Sequence, residues 1–136
     1  MNDILADTHT AIWSLFDPAR LSVAASRALQ VAQVAGGRVL VSAVTPIETT
    51  YLAERRRVAS HVLPALWAAI DDPTRPFDIL SVSSAVARVL DRISRGIVSD
   101  MPDRIIAATA LAHGLPLVSA DRKIRSLAVL GLAIVW

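Results

Sequence analysis

The stretch Asp100-Met101-Pro102-Asp103-Arg104-Ile105-Ile106-Ala107-Ala108-Thr109-Ala110-Leu111-Ala112-His113-Gly114 runs directly into Leu115-Pro116-Leu117-Val118-Ser119-Ala120-Asp121. It reads as an acidic loop, a helix ended by glycine, a short apolar strand and a further acid just past that strand. One helix–strand unit therefore carries a carboxylate at each end.

Outward from this unit the same alternation recurs. Residues 3–6 and 38–44 are apolar runs with the composition of buried strands, and 77–82 and 132–136 are two more. Helical spacing is expected over 8–16, broken at Asp17-Pro18, and from the N-cap Ser22 to the stop Gly36-Gly37. Further helices are expected from Thr45 to about Arg57, over 60–72, and from the N-cap Ser83 to about Arg95. Strands alternating with helices imply an α/β fold, a parallel sheet with helices on both faces. At 136 residues the chain is one domain, 1–136.

Composition narrows the chemistry. Cysteine is absent, which excludes a disulfide framework, a thiolate metal site and a thiol nucleophile. The hydrophobic share is 54%, yet the longest apolar run, 127–136, is too short to span a bilayer. Met1-Asn2-Asp3 lacks the basic start of a signal peptide. A soluble, cytoplasmic protein without a membrane partner is expected. Thirteen of the fourteen basic residues are Arg, with Lys123 the exception; Arg suits bidentate phosphate contacts.

Four acids occupy equivalent places. Asp7, Glu48 and Asp121 each follow a strand, and Asp103 lies in the first turn of the central helix. In a parallel α/β sheet the carboxyl ends of the strands converge on one edge, where ligands bind. Each acid has a plain alternative as a helix cap. Thr45-Pro46-Ile47-Glu48 has the form of a capping box, Asp100 to Asp103 reads likewise, and Asp7 and Asp121 are acceptable N-caps. Taken together they point elsewhere. Four carboxylates on one edge repel unless a cation offsets them, and hard Mg²⁺ or Mn²⁺ ions prefer oxygen ligands. Such a cluster suits phosphodiester hydrolysis, because a bound metal makes hydroxide available near neutral pH.

On these residues the sequence resembles the PIN-domain ribonucleases of the VapC toxin type. The resemblance rests on Asp7-Thr8-His9 after the first strand, on 41–48, on 100–110 and on 117–121, in that order along nearly the whole chain. It implies a PIN-like parallel sheet of about five strands and Mg²⁺- or Mn²⁺-dependent endoribonuclease activity on RNA of the translation machinery. Asp7, Glu48, Asp103 and Asp121 would be the catalytic, metal-holding quartet. Thr8 and Ser119 would support it through their hydroxyls. A cognate VapB-type antitoxin and a homodimer are also implied. Asp100 is an additional acid, expected either as the N-cap or touching a metal through water.

Other features have competing readings. Arg104, Arg122 and Lys123 adjoin the acids and are candidates for RNA phosphate contact. Arg55-Arg56-Arg57 favours a helix C-terminus, with phosphate binding as the alternative. His9 is expected as a structural donor, and Arg88, Arg92 and Arg95 as a solvated face. Trp13, Tyr51 and Trp67 are core residues or parts of a groove for a partner helix. The competing function is a catalytically silent RNA- or partner-binding module whose acids are caps. A P-loop is excluded, since Gly-Lys-Ser/Thr is absent.

Overall fold

The computed structural model describes residues 2–136. Five strands, β1 (Ile4–Ala6), β2 (Val39–Ser42), β3 (Phe77–Leu80), β4 (Leu117–Val118) and β5 (Ile134–Val135), form one sheet in the order β3-β2-β1-β4-β5. Every pairing is parallel. The connections are helical: α1 (Thr8–Phe16), α2 (Val23–Val34), α3 (Val44–Glu54), α4 (Val62–Asp71), α5 (Ser84–Val89), α6 (Met101–His113) and α7 (Arg122–Arg125). The expected α/β architecture with helices on both faces is the one observed. Among the described residues no helix is long and apolar enough to cross a membrane.

The central strands are buried on both faces, so alternate side chains enter different cores. Leu5, Leu40 and Leu117 face one core with Val86, Ile93 and Ile106. Ile4, Ala6, Val39, Val41 and Val118 face the other with Ala11, Ala25 and Leu29. On α6, Ala107, Ala108 and Ala110 are fully buried in the first of these cores. Small side chains let this helix lie close to α5 and α3, and its N-terminal turn comes to the carboxyl edge. Gly114 ends it at φ 62°, the left-handed conformation glycine adopts without steric cost.

Several boundaries differ from the sequence reading, each for a local reason. β2 ends at Ser42, and Val44 already belongs to α3. The Ala43 N–H bonds Leu80 O, and Ser42 Oγ accepts from the Val44 N–H, so the chain turns into the helix two residues early. α5 stops at Val89 and tightens into a 3₁₀ turn over Leu90–Arg92, instead of continuing to Arg95. There Arg104 Nη2 donates to Leu90 O and Ile93 O, drawing off carbonyls a longer helix would use.

α3 ends at Glu54, short of Arg57. Arg56 N–H bonds Ala53 O and Arg57 N–H bonds Leu52 O, the paired bonds of a Schellman cap. Arg56 holds the left-handed position at φ 56°, which usually belongs to glycine. A side chain there costs about 1 kcal/mol. Arg56→Gly is therefore expected to raise stability by about 0.5–1 kcal/mol in urea unfolding; a loss of stability would mean the Arg56 side chain makes a contact worth more than the strain.

Candidate active site at the carboxyl edge

β1 lies beside both β2 and β4, where the order of connection reverses, and Asp7 follows it. Asp7 is 5% exposed. Its Oδ1 caps α1 by accepting from the Thr10 N–H at 2.9 Å. Its Oδ2 accepts from Ser119 Oγ at 2.5 Å, across the gap to the end of β4. Ser119 Oγ in turn accepts from the Asp121 N–H at 3.1 Å. A buried hydroxyl thus fixes two of the acids relative to each other. Asp121 also caps α7, accepting from the Lys123 and Ile124 N–H groups.

Glu48 caps nothing. The expected capping box fails because α3 starts before Thr45, whose hydroxyl lies 3.0 Å from that of Thr8 instead of capping. This buried bond ties α1 to α3 beneath the acids. Glu48 Oε1 is buried without a hydrogen-bond partner. A buried carboxylate oxygen left unpaired is costly unless a proton or cation satisfies it. Burial raises the Glu48 pKa, the Thr8 hydroxyl and nearby His9 oppose that, and Asp100 and Asp7 add to it.

At the start of α6, Asp100 Oδ2 accepts from the Asp103 N–H at 3.4 Å, so Asp100 is the N-cap. Asp103 is left facing the other acids. Burial, then Asp100, Glu48, Asp121 and Asp7, push its pKa to about 7. One carboxylate oxygen from each of Glu48, Asp100 and Asp103 lies within 4.8 Å of the others. Asp7 and Asp121 line the same cleft, of about 920 Å³. The four acids therefore share one cleft, where the close group is Glu48 and Asp103 with Asp100, and Asp7 and Asp121 line it while also capping helices. An oxygen-only donor set with an orphaned buried oxygen suits a hard divalent cation that keeps some of its waters.

The basic candidates part company. Arg104 is engaged by the carbonyls of Leu90 and Ile93, which removes it from the expected RNA contact. Arg122 and Lys123 are exposed on α7. Arg20, not singled out from the sequence, lines the acid cleft together with Arg57, for which phosphate binding is the alternative reading. The Schellman turn delivers Arg57, and Arg20 lies with its guanidinium 4.4 Å from the Trp13 ring centre. Tyr51 and Trp67 are exposed, against the core reading, and the alternative of one common groove divides. Trp13 lines the acid cleft, whereas Tyr51 lines a second hollow with Ile47 and Met101 that does not include Trp67.

The family model for the PIN domain matches residues 4–130. Ribonuclease VapC22 of Mycobacterium tuberculosis is 32% identical over 126 residues, covering 93% of this chain and 92% of that protein. Among solved structures, VapBC2 from Rickettsia felis, bound to a promoter DNA fragment, matches with TM-score 0.70 at 12% identity, over 97% of this chain and 96% of that one. A toxin–antitoxin complex from Klebsiella pneumoniae matches with TM-score 0.61 at 23% identity, over 98% and 96%. FitAcB from Neisseria gonorrhoeae matches with TM-score 0.57 at 24% identity, over 96% and 95%.

Proposed function

Because this chain belongs to the PIN-domain family, we propose that it is a metal-dependent endoribonuclease toxin that cuts RNA of the translation machinery. A VapB-type antitoxin neutralises it. The observation that carries the reading is the convergence of Asp7, Glu48, Asp103 and Asp121 on one cleft around an unpartnered buried Glu48 oxygen.

In this proposal Asp7, Glu48, Asp103 and Asp121 hold Mg²⁺ or Mn²⁺, with Asp100 beside them at the mouth. When bound, the metal supplies a water of lowered pKa and a counter-charge for the phosphate. The chain's own groups set the geometry. Ser119 locks Asp7 and spaces Asp121, and the Thr8–Thr45 bond fixes the helices bearing Asp7 and Glu48. Arg122 and Lys123 meet more distant phosphates. The hollow beside Ile47, Tyr51 and Met101, all more than half exposed, is the surface for a second copy in a homodimer.

The silent-module alternative draws on the caps made by Asp7, Asp100 and Asp121. It leaves Glu48 without a reason. The test is incubation of the purified chain, freed of antitoxin, with total RNA plus Mg²⁺ or Mn²⁺, and again with chelator. Discrete fragments that vanish with chelator are expected. Intact RNA under every condition would sink the proposal.

A further inference from the structure

The second hollow adjoins the acid cleft: Glu48, Leu52, Arg57 and Asp100 line both. Its middle is apolar and open, with Ile47, Tyr51 and Met101 each more than half exposed. Along α3 its charge changes sign. Glu48 stands towards the start of the helix, near Asp100, and the exposed Arg55 lies about 10 Å further along the axis. Being seven residues apart, Glu48 and Arg55 project from one flank of α3; Glu54 does not line the hollow. Among the described residues no ion pair engages Glu48, Asp100 or Arg55.

A surface of this pattern is complementary to itself after a two-fold rotation. Two antiparallel α3 helices crossing at Tyr51 set position 55 of one copy level with position 47 of the other. Each Arg55 then comes beside the other copy's Glu48, and the two apolar middles cover each other. A parallel pairing would set carboxylate against carboxylate. Building on the endoribonuclease and homodimer readings, we propose that the acid cleft is completed in trans: Arg55 of the partner subunit reaches the mouth at Glu48 and Asp100 and donates to a phosphate of the bound RNA. The physical need is charge. One divalent ion leaves the carboxylates of the cleft in excess, which repels an entering phosphate, and a guanidinium facing that phosphate offsets part of the repulsion. A lone copy holds the acids without this Arg55, so cutting is tied to dimer formation.

The chain has no cysteine, so introduced ones report the register. Ile47→Cys mixed with Arg55→Cys is expected to give a disulfide-linked dimer, and Arg55→Cys alone none. Arg55→Ala should stay dimeric in sedimentation and keep the wild-type rise in melting temperature with Mn²⁺. Its kcat/KM on RNA should fall about 10- to 100-fold, the worth of one charge-assisted hydrogen bond. The deciding measurement is complementation. Co-expressed Arg55→Ala and Asp103→Asn chains should recover about a quarter of the wild-type rate, because half of the dimers are mixed and each keeps one complete cleft. A mixture no faster than the mean of its two parents puts Arg55 in its own chain's cleft and overturns the proposal. Wild-type rates in Arg55→Ala, or a wild-type chain that is active as a monomer, overturn it too. A monomer whose cutting is slowed by Tyr51→Ala gives the hollow to RNA instead, and a dimer whose antitoxin binding alone is weakened by Tyr51→Ala gives it to the antitoxin. A linked 47–55 dimer that leaves all RNA intact with metal present defeats the nuclease reading while the interface stands.

Discussion

Asp103→Asn is expected to lower RNA cleavage by about 10²–10³-fold or more and, in chelator, to make the protein melt a few degrees higher. The two effects share one cause. Asp103 faces Asp100, Glu48, Asp121 and Asp7 in a partly desolvated cleft, which pushes its pKa to about 7. Asparagine keeps the shape and removes the charge, so the metal-free fold is relieved of repulsion while a metal donor is lost. Asp103 is partly exposed, so solvent screening holds the gain to about 1 kcal/mol, a shift of roughly 2–5 °C at this size. Cleavage assays and melts on one preparation measure both. A variant that loses activity and also melts lower without metal would contradict the repulsion argument.

The second large effect is a pH dependence with an unusual sign. Most native carboxylates have depressed pKa values and stabilise the fold as pH rises. Asp103 is raised from 3.8 to about 7, and Glu48 is raised from 4.5. Between about pH 4 and pH 7 the unfolded chain has released protons that the folded chain still holds. Metal-free stability must therefore fall as pH rises through that window and level off above it. After allowance for screening the loss is about 1–2 kcal/mol. Asp72, lowered by its bonds to Thr74, contributes the opposite trend at more acid pH. With Mn²⁺ present the stabilisation by metal should grow with pH, because the ligands bind in their ionised forms. Melts from pH 4 to 8 in chelator and in Mn²⁺ test this, with Asp103→Asn as the control that flattens the chelator curve. A metal-free melting temperature that climbs from pH 4 to 7 in the wild-type chain would refute it.

Much of this was legible in the residues. The doubly buried runs 39–42 and 117–118 and the caps Ser22, Ser83 and Asp100 signal their elements through local chemistry, and the structure keeps them. That the four acids line one cleft follows from topology, since a parallel sheet brings the ends of its strands to one edge. Misreadings arose where a distant partner decides. Thr45 has the sequence context of an N-cap, but its hydroxyl is held by Thr8, 37 positions away. Arg104 adjoins an acid in sequence, yet its guanidinium goes to the turn at 90–93. Arg57 enters the cleft because Arg56 takes a left-handed conformation that nothing in three consecutive arginines announces. Arg20 lies beyond a proline break, which hides its return over Trp13.

The bond from Ser119 to Asp7 spans 112 positions of sequence, and its consequence is one of timing. A ribosome makes Asp7 before Ser119, with roughly 6–20 s between them at ordinary elongation rates. Until β4 arrives beside β1, Asp7 has no Ser119 and no Asp121, and a nascent chain carries only part of its cleft. The proposed nuclease would thereby lack its complete cleft until β4 has been made and has paired with β1.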